Sequence, residues 1–70
     1  MKITFDRKAN IAYPHLVPIG PGEATSQQLV DLPRGSLVLD FSKAKRLIGI
    51  EMVNATSLLP DEVLKQAERL

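Results

Sequence analysis

The sequence predicts a single α+β domain over residues 1–70: a small antiparallel β-meander sheet of four to five strands, with one C-terminal helix packed on one face. Three observations predict it. Up to Val53, short segments with two-residue apolar alternation are separated by turn residues. After Pro60, apolar residues recur at spacings of 3 and 4. The connections between the β-segments are short, which suits antiparallel neighbours.

Each element follows from local chemistry. Lys2 to Asp6 alternates, with Ile3 and Phe5 on one face and Lys2, Thr4 and Asp6 on the other. Asp6 to Asn10 is a polar turn, where Asp6 and Asn10 can bond nearby backbone. Ile11 to Ile19 reads as a second strand. Pro14 cannot donate to a ladder, so this strand is expected at an edge or bent there. Tyr13 is expected to pack on its core side, with the hydroxyl at the rim. Gly20 to Gly22 is a turn. Glu23 to Val30 has little apolar content and reads as a solvated edge strand. Asp31 to Gly35 is a loop. Ser36 to Phe41 and Arg46 to Val53 are strands joined by a turn at Ser42 to Lys45. Asn54 to Leu59 is a connector with room for one helical turn, and Leu58 and Leu59 are expected under the sheet. Pro60 to Leu70 reads as the helix. Pro60 suits its start, and Asp61 and Glu62 suit its positive end. Val63, Leu64, Ala67 and Leu70 form its apolar stripe.

The run Arg46 to Thr56 raises one question: why do Gly49 and Glu51 interrupt an apolar strand? Alternation supplies the placement. With a turn near Lys43 and Ala44, Leu39 pairs with Ile48 and Leu37 with Ile50. Leu37, Leu39, Phe41, Ile48, Ile50 and Met52 then share the core face. The second face carries Val38, Asp40, Leu47, Gly49, Glu51 and Val53, a mixed set. One helix covers only one face, so this second face is a candidate interface or ligand face. Gly49 marks either a bulge or twist point, or a place where another backbone or an aromatic ring packs closely.

Composition narrows the function classes. The chain has 9 Lys plus Arg against 8 Asp plus Glu, a net charge of +1. That is not the charge excess of a nucleic-acid or membrane-surface protein. Lys43, Lys45 and Arg46 read as a solvated hairpin tip. With one Tyr, two Phe and no Trp, there is no stacking platform for bases. No run approaches the ~20 apolar residues of a membrane span. The start, "MKITFDRKAN", turns charged too soon for a signal peptide. The expectation is a cytoplasmic protein. No Cys is present, so disulfides and thiolate zinc sites are out. A chain of this size buries only roughly 60% of its unfolded surface, so self-association is the remaining way to reinforce the core.

The chemical inventory is thin. Asp40 and Glu51 share a face, roughly 8 to 10 Å apart by strand spacing. They read as a solvated pair, an interface pair with a Lys or Arg, or an acid/base or divalent-ion site. His15 is the one histidine, and with Tyr13 it forms a candidate polar site. No nucleophile elbow and no phosphate loop is present.

Several short pieces in order carry a resemblance: Phe5-Asp6, Ala12-Tyr13, Asp40-Phe41, Gly49-Ile50-Glu51 and Asn54-Ala55-Thr56. In sequence and spacing they resemble the DUF2283 family of small prokaryotic proteins, over about Lys2 to Leu59. The chain departs from the pattern at Asn10, at the turn Ser42 to Arg46, and in the Pro-rich stretch Pro14 to Gly22. The family has no established activity, so the resemblance implies a fold and, through its members' gene neighbours, an antitoxin-like partner role. The functional expectation is a homodimeric binding or interaction module with no catalytic residues and no cofactor. The alternatives are an antitoxin-like partner of a small toxin, and a weak metal-ion or acid/base site at Asp40 and Glu51.

Overall fold

A computed structural model describes residues 1–70. The elements are β1 (Lys2–Asp6), β2 (Ile11–His15), β3 (Ser26–Leu32), β4 (Gly35–Phe41), β5 (Leu47–Val53), α1 (Ala55–Leu58), α2 (Asp61–Gln66) and β6 (Glu68–Arg69). They form an α+β domain with one six-stranded sheet in the order β3-β4-β5-β2-β1-β6. No helix is long and apolar enough to cross a membrane.

The sheet is mostly antiparallel but is not a simple meander. β3, β4 and β5 run as a meander, and β1 and β2 form a hairpin. β2 then docks on β5, and β6 adds in parallel to the free edge of β1. So β2 is an interior strand, not the edge strand that Pro14 suggested. The ladder accommodates the proline by opening. Ile11, Ala12 and His15 pair with Val53, Met52 and Gly49, and the rungs at Tyr13 and Pro14 are missing. Two residues on, the Leu16 N–H donates to the Ile48 carbonyl. Pro14, two positions earlier, directs its ring nitrogen to the same side, where no N–H exists to donate. β2 also stops at His15 rather than running to Ile19.

β3 lies at an edge, as its polar composition predicts, but runs Ser26–Leu32, starting three residues and ending two residues later than expected. Leu32 pairs with Gly35, leaving Pro33 and Arg34 as a two-residue turn. The β4–β5 register is shifted by two: Leu39 pairs with Ile50 and Leu37 with Met52. Because the shift is even, the side chains from Ser36 to Asp40 and from Gly49 to Val53 keep their faces. A bulge sets Leu47 opposite Phe41, taking Leu47 out of alternation with Gly49 and Glu51.

The expected eleven-residue helix is six residues long. Ala67 is extended (φ −70, ψ 146), and the chain continues as β6. The open edge of β1 explains the change: β6 pairs there, and the Leu70 N–H donates to the Phe5 carbonyl. Leu64 and Ala67 remain buried, whereas Leu70 is 77% exposed and drops out of the apolar stripe.

The helices cover one face at one end of the sheet. Ala55, Leu64 and Ala67 pack on Phe5 and Ala12, with Ile3, Met52 and Leu59 around them. Ile48 is also buried, but Leu37, Leu39, Phe41 and Ile50 are only half-buried and lie outside this cluster. Three of the six buried apolar residues are alanines.

A polar joint ties the loops at this end. Asn10 and Asn54 both adopt left-handed backbone, at φ 56 and φ 68. The Asn10 amide donates to Asn54 Oδ1 (2.9 Å) and Thr56 Oγ1 (3.0 Å), and Asn10 Oδ1 accepts from the Thr56 N–H (3.1 Å). Asn54 in turn donates to the Arg34 carbonyl (2.5 Å). Asn10→Ala removes the three bonds made by the Asn10 side chain and places a less tolerant residue in the left-handed region, so a loss of about 2 kcal/mol is expected by urea denaturation. Asn10→Gly relieves the backbone and should lose only about half of that.

Candidate functional site

The face opposite the helices is organised around Gly49. One row of side-chain positions crosses five strands: Lys2, His15, Gly49, Asp40 and Gln27. Gly49 leaves the middle of the row without a side chain. Tyr13, one position along β2, leans over it. A Cβ added at Gly49 would overlap the Tyr13 hydroxyl and lie 2.6 Å from Cε1 and Cζ of the ring. Of the two sequence readings of Gly49, the close approach of an aromatic ring is the one observed. The β4–β5 bulge falls at the neighbouring pair instead.

Tyr13 therefore belongs to this second face, not to the core side. Ala12 and Pro14, its neighbours on the strand, are the residues buried on the helix side. The Tyr13 hydroxyl crosses Gly49 and donates to Asp40 Oδ2 at 2.5 Å. Gln27 Nε2 donates to the other carboxylate oxygen at 2.7 Å. Asp40 is only 6% exposed, so both oxygens have a donor in place of water. Burial, the hydrogen bond to Asp40, and the charges of Asp40 and Glu51 push the Tyr13 phenol well above its ordinary range. Tyr13 is thus held as a neutral donor.

The other expected residues distribute around this lock. Glu51 lies two positions from Gly49 on the same face, diagonal to Asp40. It is half-buried and has no hydrogen-bond or ion-pair partner, since the one ion pair is Lys2 to Glu68 at 3.5 Å on an exposed edge. Val38 faces Glu51 across the β4–β5 ladder, and Val53 follows on β5. His15 packs its ring 4.5 Å from that of Tyr13, and its buried Nδ1 has no partner. Beyond His15, a half-open cleft of about 450 Å³ is bounded by Lys2 and the Leu16 to Ile19 loop.

The arrangement unites Tyr13, Asp40 and Gly49, keeps His15 and Glu51 at their flanks, and leaves Val38 and Val53 as half-buried apolar neighbours. Its chemistry is that of a lock. Each Asp40 oxygen accepts from a neutral donor, Tyr13 or Gln27, and the carboxylate is buried. No three His, Asp or Glu side chains converge as a potential metal-binding group. Sequence reasoning missed Gln27. The two-residue turn at Pro33 and Arg34 was the signal, because it fixes the β3–β4 register and places Gln27 opposite Asp40. Comparison with known protein families, with curated proteins and with solved structures found no match for this chain.

Proposed function

We propose that this protein is a small interaction module that works as a homodimer and has no catalytic role. The observation that carries the reading is surface. A folded monomer of 7.7 kDa is expected to expose about 4,300 Å². This chain exposes 4954 Å², an excess on the order of 600 Å² over that scaling. A standard protein interface covers about 800 Å² per partner, so one partner of ordinary size would remove the excess. Six buried apolar residues make a weak core, and without cysteines it has no covalent reinforcement.

The polar lock supports a structural use of the second face over an enzymatic one. The pieces that resemble the DUF2283 family supply its working parts. Tyr13, Asp40 and Gly49 make the lock, and Asn54 and Thr56 make the loop joint with Asn10. An antitoxin-like role would use the dimer as the unit that meets a second protein. Size-exclusion chromatography with light scattering tests the reading: a mass of twice 7.7 kDa is expected at micromolar concentration. A strict monomer there would overturn it.

A further inference from the structure

The helices leave Leu37, Leu39, Phe41 and Ile50, on their own side of the sheet, outside the core cluster, and we infer that a second copy of this chain packs there, sheet against sheet. This rests on the homodimer reading and specifies its interface. Charge separates the two faces. On β3, β4 and β5, the helix-side positions include no charged residue. The opposite face of the same strands carries Asp31, Asp40 and Glu51. Interface centres are depleted of charge, and an unpaired carboxylate is costly to bury, so the helix side is the better candidate.

Its apolar residues are contiguous. Leu39 pairs with Ile50, Leu37 with Val30 on one side and Met52 on the other, and Phe41 follows on β4. Leu37, Leu39, Phe41 and Ile50 are each half-buried, as expected of sheet residues with strand neighbours but no layer above them. α1 stands as a ledge at the Gly35 end of β4, where Leu58 lies close to Gly35, and α2 sets Leu64 over Phe5 and Ala12. A twofold axis over β4 would set each open half-sheet against the other, at roughly the 10 Å separation of packed sheets. One contact patch then serves both protomers. The lock beneath β4 and β5 would hold those strands in register for the contact.

The chain has no cysteine, so single thiols report the faces cleanly. Gln28→Cys places one on the helix side opposite Leu39, and Asp31→Cys places one on the other face; both positions are exposed. Thiol alkylation rates are measured from dilute to concentrated protein, with mass followed by light scattering. The expected result is that Gln28→Cys slows at least about tenfold as the dimer forms, while Asp31→Cys keeps its rate. A dimer that protects Asp31→Cys instead, or neither thiol, overturns this interface and leaves the dimer standing. A monomer throughout overturns both. Leu39→Lys should weaken association by roughly 30-fold or more. Circular dichroism separates lost association from lost fold in that variant. A folded Leu39→Lys protein that dimerises as before would also overturn the assignment.

Discussion

Gly49→Ala is expected to destabilise the protein by about 2 to 4 kcal/mol, measured by urea denaturation, through overpacking and loss of the Tyr13–Asp40 bond. The added methyl group occupies space taken by the Tyr13 ring and hydroxyl. The ring cannot yield freely, because its hydroxyl is tied to Asp40 and it packs, tilted, against the His15 ring. If Tyr13 swings away, Asp40 is left buried with only Gln27 as a donor. Small domains have net stabilities of only about 5 to 15 kcal/mol, so a loss of this size is a large share of the total. The double variant with Tyr13→Ala supplies the control. Once the ring is gone, the extra methyl costs little, and the two losses should fall short of their sum by about 1 kcal/mol or more. Strict additivity would mean that the ring and the glycine do not depend on each other.

Tyr13→Phe is expected to cost about 1 to 3 kcal/mol at neutral pH, because it keeps the ring over Gly49 but leaves the buried Asp40 carboxylate short of one donor. It should also remove a pH dependence. In the folded protein the phenol is raised above its ordinary value of 10.0, by burial first and then by the hydrogen bond and charge of Asp40. A proton held more tightly in the folded state stabilises it fully below the unfolded value. That contribution is lost as pH rises from about 10 toward the folded value, since unfolded chains then release a proton that folded chains keep. Wild-type stability should therefore decline above pH 10 more steeply than that of Tyr13→Phe. Tyr13 is the one tyrosine and there is no tryptophan, so absorbance near 295 nm would follow this phenol alone. Ionisation at the ordinary tyrosine value would show that the contact with Asp40 is absent in solution.

Local chemistry in the sequence determined the alternating strands, the edge position of β3, the faces of β4 and β5, and the presence of Gly49 and Glu51 on the side away from the helices. These follow from a period of two and from turn residues, which act over a few neighbours. Tertiary structure decided what those local rules cannot reach. It put β2 inside the sheet despite Pro14, because a short gap in one ladder is tolerated where strands on both sides supply the remaining bonds. It cut the C-terminal helix after Gln66, because the free edge of β1 offered backbone partners to Glu68 and Arg69. It turned Tyr13 from the core to the second face, because Ala12 and Pro14 took the helix side. The lock itself joins residues 27 and 36 positions apart in the chain, Asp40 and Gly49 each with Tyr13, and strand order alone brings them into contact. Sequence periodicity assigns a face, whereas the neighbour on that face is set by which strands pair and in what register.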